Sequence, residues 1–104
     1  MTEVETLRLL PVAEIPENRP IRCKTGALDL LVYRRGEAFY VYRNFCPHQG
    51  VPLSDGHLVQ EALICRRHGA KFDLLSGKCL RLPATEDLQA FSTLVEDDTL
   101  FIRL

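Results

Sequence analysis

The chain has 104 residues, of which 46% are hydrophobic, and 13 basic against 14 acidic side chains leave a formal net charge of −1. This length suits one ordinary domain with its own core, and the balanced charge argues against a protein that binds nucleic acid. No apolar run approaches the ~20 residues that cross a bilayer, and the acidic start differs from a secretory signal. The sequence therefore predicts one cytoplasmic domain over residues 1–104, with no membrane segment.

Short apolar segments broken by turn residues follow one another along the chain, which is typical of an all-β fold. Residues 7–12 predict a first strand, and prolines then interrupt regular structure until residue 21. Residues 28–33 and 38–43 predict a hairpin in which Gly36 supplies the positive φ of the turn. Residues 90–95 and 99–103 predict a second hairpin of the same kind.

The region between the two hairpins is rich in loops and carries all three histidines. Binding groups tend to lie on loops that a rigid scaffold presents. We therefore expect an antiparallel β-sandwich or barrel that holds two loops at one end.

Two short segments of this region each contain one cysteine and one histidine. Cys46 and His48 lie in the first, and Cys65 and His68 lie in the second. Thiolate and imidazole ligands of this kind suit either zinc or an iron–sulfur cluster. Zinc fingers most often group their cysteines in one pair and their histidines in another, whereas mixed pairs suit a cluster of two irons.

The two segments resemble the two boxes of the Rieske family. Residues 46–50 read CPHQG and are followed by LSDG at 53–56, and residues 65–69 read CRRHG and are followed by FD at 72–73. The resemblance is densest over residues 44–83. It implies an antiparallel Rieske-type β-sandwich or barrel, with a small cluster-binding subdomain of about 44–83 inserted in the β core.

The same resemblance implies one [2Fe–2S] cluster and a role for each ligand. Cys46 and Cys65 would bind the inner iron, and His48 and His68 would bind the outer iron near solvent. Gly50 and Gly69 would let the backbone approach the cluster and direct amide groups at its sulfides. Pro47 would stiffen the first box.

The chain departs from the Rieske proteins of cytochrome complexes at four positions. Val51 and Arg67 stand where those proteins have a disulfide that clamps the loops, and Ala70 and Phe72 stand where they have a serine and a tyrosine. Those hydroxyls donate hydrogen bonds that favour the reduced cluster. Their absence predicts a low potential, toward the about −150 mV end of the Rieske range.

The chain, with its 104 residues, resembles the soluble Rieske-type ferredoxins of multicomponent ring-hydroxylating dioxygenases. The implied function is that of an electron carrier, not an enzyme: it takes single electrons from a flavin-dependent reductase and passes them to a terminal oxygenase. An alternative is the small subunit of an assimilatory NADH-dependent nitrite reductase, whose large subunit would be the acceptor. A structural zinc-binding interaction module is a third alternative.

Basic residues lie close to the ligands of the second box. Arg66 and Arg67 lie between Cys65 and His68, and Lys71 follows. They are either ordinary solvated loop charges or a collar that steers an acidic partner onto the cluster edge.

The remaining cysteines and the third histidine have no ligand spacing. Cys23 and Cys79 fall in apolar stretches, where a thiol behaves as a small hydrophobic side chain. His57 is expected to be an ordinary exposed or capping residue.

Overall fold

The computed structural model describes residues 5–46, 51–66, 69–81 and 86–104. Within these ranges the only helices are two 3₁₀ turns, Val12–Glu14 and Leu53–Asp55, and no helix could cross a membrane. The strands of the described chain are β1 (Thr6–Pro11), β2 (Ile21–Thr25), β3 (Leu28–Arg35), β4 (Ala38–Arg43), β5 (His57–Val59), β6 (Ala62–Ile64), β7 (Lys71–Asp73), β8 (Cys79–Arg81), β9 (Ala90–Phe91), β10 (Thr93–Glu96) and β11 (Thr99–Arg103). The predicted all-β fold is confirmed.

Two antiparallel sheets form what we call the base. One has the order β1-β11-β10 and the other has the order β2-β3-β4-β9. A buried apolar cluster between them contains Leu30, Val32 and Val41 from the second sheet, with Leu100 and Ile102 from the first. Strands that alternate inward and outward side chains supply this core.

A third antiparallel sheet, β5-β6-β7-β8, forms what we call the lobe. It lies between β4 and β9 in the chain, in the region that the sequence analysis describes as rich in loops. Its strands have three residues each, too few to reveal an alternating pattern. The lobe falls within the predicted subdomain of 44–83, and the single-domain organisation of 1–104 stays a prediction.

Strands β3 and β4 are buried on both faces. While one face packs in the base, Leu31 and Tyr33 of β3 and Tyr42 of β4 belong to a second apolar cluster, shared with the lobe. The apolar run of residues 30–33 in β3 fits this central position, since a segment covered on both sides needs no polar face. The central strands β3 and β4 thus form the surface against which the lobe packs.

Both predicted hairpins are present, with one difference. Gly36 has φ +60° in the β3–β4 turn, and Asp97 and Asp98 have φ +50° and +58° in the β10–β11 turn. Residues 90–95, predicted as one strand, divide at Ser92: β9 pairs with β4, whereas β10 pairs with β11. The segment therefore passes from one sheet of the base to the other.

A buried hydrogen bond fastens the lobe to the base. The Tyr42 hydroxyl donates to the carbonyl oxygen of Leu74 at 2.6 Å. The ring of Tyr42 also lies against Gly77, where an added Cβ would be 2.9 Å from the ring atom Cε1. Gly77 has φ +78°, so both its conformation and its contact with the ring favour glycine.

We predict that Gly77→Ala destabilises the protein by about 2–4 kcal/mol, because a left-handed alanine costs about 1–2 kcal/mol and overpacking adds a similar amount. The ring of Tyr42 cannot easily move aside, since its hydroxyl is hydrogen-bonded in the core. Gly36→Ala is the matched control: φ is +60° there, and nothing lies within 4 Å of the added Cβ. Denaturant unfolding should show the larger loss for Gly77→Ala. Equal losses would contradict the proposed contact.

Candidate metal centre

The first ligand cysteine follows β4 after a bend at Asn44, where the backbone N–H of Phe45 donates to the carbonyl oxygen of Arg43 at 2.8 Å, and buried and exposed residues alternate along this segment. Tyr42, Asn44 and Cys46 are buried, whereas Arg43 and Phe45 between them are exposed. Cys46 has no solvent exposure, and its backbone N–H donates to the carbonyl oxygen of Val51 at 2.9 Å. The alternation thus directs the thiol of Cys46 into the protein.

The second ligand cysteine directly follows β6 and is held in the same way. Cys65 is 2% exposed, and its backbone N–H donates to the carbonyl oxygen of Ala70 at 2.7 Å. In each box the cysteine N–H is thus bonded to the carbonyl five residues later. The two boxes form loops of equal length, each with a buried cysteine at its start.

The two loops lie on either side of one cleft. This cleft has a volume of about 350 Å³ and is lined by Val51, Pro52 and Asp55 from the first side and Arg66 from the second. Cys46 and Cys65 also belong to one buried cluster. The structure therefore brings the two predicted thiolate ligands to the same end of the molecule.

The predicted histidine ligands lie outside the described residues. This applies to His48 and His68, as well as to Pro47, Gly50 and Arg67. Gly69 is described and has φ +70°, a conformation that favours glycine in the second loop. The ligand assignment as a whole stays a prediction.

Ala70 and Phe72 lie behind the second loop, both with no solvent exposure. Neither side chain carries a hydroxyl, so neither can donate a hydrogen bond to a sulfur atom. Ala70 instead contributes the carbonyl that closes the loop. Both positions therefore carry buried apolar side chains next to the second loop.

The basic residues of the second box differ in exposure. Arg66 is exposed, and Lys71 is half-buried in β7, where it lies opposite Ile64 of β6. Arg66 also lines the cleft between the loops. Two of the three predicted docking residues are therefore at the end of the molecule that carries the cysteines.

The residues without ligand spacing are distributed over three strands. Cys23 is half-buried in β2 and packs against the core of the base, and burial raises the pKa of its thiol. Cys79 is half-buried in β8 and packs against the cluster shared with the lobe. His57 is exposed in β5.

Asn44 is a site residue that the sequence analysis missed. It is the only buried polar residue in the described chain, at 5% exposure. Its side-chain amide group donates to Ser54 Oγ at 3.0 Å, and its side-chain oxygen accepts the backbone N–H of Ser54 at 2.8 Å. A polar residue placed two before Cys46, in an alternating inward position, was the available signal.

Tyr42 is the second residue that the sequence analysis missed. Burial raises the pKa of its hydroxyl well above the ordinary value, and electrostatic interactions with Asp73 and Tyr40 add to the effect. Tyr42 therefore stays protonated and remains a hydrogen-bond donor to Leu74 at neutral pH.

The donor set and its setting fit a two-iron cluster. The two cysteines offer thiolates from the buried starts of matched loops, while the exposed Arg66 lines the cleft between the loops. Each box also contains a histidine, so one thiolate and one imidazole per loop are available by sequence. Such a set suits a cluster in which one iron has two thiolate ligands and the other has two imidazole ligands.

Comparison with known sequences gives the same result. The Rieske [2Fe–2S] domain family matches residues 5–92. The chain is also similar to the 3-phenylpropionate/cinnamic acid dioxygenase ferredoxin subunit of Shigella flexneri serotype 5b (strain 8401), with 36% identity over 95 residues. That match covers 90% of this chain and 89% of the relative.

Comparison with solved structures extends the similarity to the whole fold. The ferredoxin of Sphingomonas yanoikuyae B1 superposes with a TM-score of 0.86 at 26% identity, covering 96% of this chain and 99% of that one. A second solved structure is a complex of reduced oxygenase and oxidized ferredoxin in carbazole 1,9a-dioxygenase. One of its chains matches with a TM-score of 0.82 at 27% identity, and the match covers 94% of this chain and 92% of that one.

The raised pKa of Tyr42 predicts how stability depends on alkaline pH. A free tyrosine ionises near pH ~10, so the unfolded chain loses this proton before the folded chain does. The contribution of Tyr42 to the free energy of unfolding is therefore complete below pH ~10 and is lost as pH rises further. We expect Tyr42→Phe to leave the tyrosinate absorbance of the folded protein unchanged, because Tyr42 does not contribute to it.

The control is Tyr40→Phe, which changes the neighbouring half-buried tyrosine of β4. Difference absorbance and circular dichroism are followed together through the alkaline transition. Loss of one folded-state tyrosinate in Tyr42→Phe would contradict the protonated state of Tyr42.

Proposed function

Because this chain belongs to the Rieske [2Fe–2S] domain family, we propose that it is the ferredoxin component of a ring-hydroxylating dioxygenase system. In this role it accepts single electrons from a flavin-dependent reductase and delivers them to a terminal oxygenase in the cytoplasm. It is an electron carrier, and the substrate is transformed by its partner. The observation that carries the proposal is the pair of matched loops with buried cysteines, on a chain that ferredoxins match over nine-tenths of its length.

The four box residues would hold the cluster, which supplies reversible one-electron transfer when bound. Cys46 and Cys65 would hold the inner iron from the protein interior, consistent with their burial. His48 and His68 would hold the outer iron and face the partner. Pro47, Gly50 and Gly69 would shape the loops around it.

The nitrite reductase alternative has less support. The curated relative that covers nine-tenths of this chain is named as a dioxygenase ferredoxin subunit, and the matched solved structures include an oxygenase–ferredoxin complex. Membership of the Rieske family also favours an iron–sulfur cluster over a structural zinc ion. The dioxygenase ferredoxin is therefore the function we propose.

A low reduction potential follows from the apolar surroundings of the second loop. The reduced cluster carries one more negative charge, which hydrogen-bond donors stabilise. Ala70 and Phe72 are fully buried and offer no side-chain donor. The potential should therefore lie toward about −150 mV, the lower end of the Rieske range.

Electron paramagnetic resonance of the dithionite-reduced protein, with iron and acid-labile sulfide assays and a redox titration of the same preparation, tests this function. We expect a rhombic Rieske signal, equal amounts of iron and sulfide, and a negative midpoint potential. A preparation that holds zinc and no sulfide would refute the carrier function. A clearly positive potential would refute only the argument from Ala70 and Phe72.

We further propose that Arg66 and Lys71, with Arg67 between them in sequence, form a docking collar for an acidic partner surface. Arg66 is exposed beside the cleft that separates the two loops, and Lys71 begins the strand that follows the second loop. Positive charge at this point would guide an acidic partner to the cluster end and raise the rate of encounter. The effect would be strongest at low salt.

Exchange of Arg66 and Lys71 for glutamate should slow electron transfer to the cognate oxygenase at low salt by about tenfold or more, because steering by charge changes association rates by 10–10³. The difference should shrink as salt screens the charges. Arg8→Glu is the control, since Arg8 is an exposed basic residue of β1 in the base. Stopped-flow rates that do not depend on salt in any of the proteins would rule out the collar.

A further inference from the structure

The two loops are closed differently outside their cysteines. In the second loop, Cys65 bonds to Ala70, and the next pair outward, Ile64 and Lys71, is a rung of the β6–β7 ladder. In the first loop, the backbone N–H of Cys46 bonds to the carbonyl of Val51. The next residues outward, Phe45 and Pro52, belong to no described strand and so form no ladder rung. The first loop therefore needs another connection between its two ends.

Asn44 provides that connection through its side chain. Its amide oxygen accepts the backbone N–H of Ser54 at 2.8 Å, and its amide nitrogen donates to the hydroxyl of Ser54 at 3.0 Å. Ser54 lies in the 3₁₀ turn that follows the first loop. The hydrogen bonds between Asn44 and Ser54 thus join the two flanks of the first loop, just outside the bond between Cys46 and Val51. A ladder rung does the same for the second loop.

The orientation of the Asn44 amide is fixed from the base. Its nitrogen also donates to Asp29 Oδ1 at 3.2 Å, and its backbone N–H donates to the carbonyl oxygen of Asp29 at 2.8 Å. A carboxylate can only accept and the Ser54 N–H can only donate, so the nitrogen must face Asp29 and the oxygen must face Ser54.

Asp29 is in turn held by an arginine. Arg22 Nε and Nη2 donate to the two carboxylate oxygens of Asp29 at 2.9 Å and 2.6 Å. The hydrogen bond from Arg22 is the main reason that the pKa of Asp29 is lowered. Arg22 and Asp29 are on the paired strands β2 and β3, so the chain of contacts begins in a sheet of the base.

We propose that Asn44 is the positioning residue for Cys46, and that Asp29, oriented by Arg22, sets the direction of its amide. Asn44 substitutes a side chain for the ladder rung that the first loop lacks. It thereby holds the start of the loop, and with it the thiol of Cys46, at a fixed place relative to the second loop. This inference rests on the proposed function, since it concerns the geometry of the cluster ligands.

The first test removes the closure without adding charge. In the holoprotein of Asn44→Ala, the backbone N–H of Ser54 and Asp29 Oδ1 both lose a partner, so the side-chain connection between the two ends of the first loop is removed. We expect cluster loss to a chelator to become about tenfold faster or more. The paramagnetic resonance lines of the remaining cluster should broaden, because the ligand geometry varies more from molecule to molecule.

The second test exchanges donor and acceptor. Asn44→Asp alone places two carboxylates against each other, and we expect the same losses as in Asn44→Ala. The double variant Asp29→Asn/Asn44→Asp restores a donor at position 29 facing an acceptor at position 44, and the N–H of Ser54 keeps its acceptor. The amide nitrogen at position 29 then also faces the donor Arg22 Nε, because both contacts are made by the same oxygen of Asp29. Line width and cluster lifetime should therefore recover in part, beyond the values of Asn44→Asp and short of those of the unaltered protein.

Glu17→Gln is the control, because Glu17 accepts a single exposed bond from the backbone N–H of Gly36 in the base. It should change neither the line width nor the cluster lifetime. Unaltered resonance lines in Asn44→Ala, or no recovery in the double variant, would overturn the positioning role. Absence of a Rieske signal in the unaltered protein would instead refute the proposed function itself.

Discussion

The hydrogen bond from Tyr42 to the carbonyl of Leu74 connects the two parts of the molecule on which the site depends. A buried hydroxyl and a buried carbonyl each need a hydrogen-bond partner. Here the hydroxyl of Tyr42 and the carbonyl of Leu74 satisfy one another through a bond of 2.6 Å. The ring of Tyr42 lies against Gly77, where an added Cβ would be 2.9 Å from the ring atom Cε1. These contacts hold the lobe against β4, and the second loop, which joins β6 to β7, is placed with it.

The same end of β4 also fixes the first loop. Tyr42 at the end of β4, then Asn44 and Cys46 after it, are buried, so this short segment contacts the lobe, closes the first loop and supplies the first thiol. The chain bends at Asn44, where the backbone N–H of Phe45 donates to the carbonyl oxygen of Arg43. The relative placement of the two loops thus depends on one continuous stretch of backbone.

The sequence predicted those features that depend on neighbouring residues. Gly36 between two apolar runs indicates a hairpin, and the spacing within CPHQG and CRRHG identifies the predicted ligands, because turn chemistry and ligand spacing are local. The crossing of residues 90–95 between sheets was missed, since it depends on which strand lies beside each half. The contacts of Tyr42 and Asn44 reach 32 and 10 residues along the chain, and no local pattern specifies such partners.

The burial of the cysteines beside exposed neighbours has a consequence for electron transfer. Cys46 is fully buried, whereas Phe45, the residue before it, is 47% exposed, and Cys65 is likewise followed by the exposed Arg66. A partner that touches either neighbour is one residue away from a ligand of the inner iron in our proposal. The protein can therefore exclude water from the thiolates and still offer a partner a short route to the cluster.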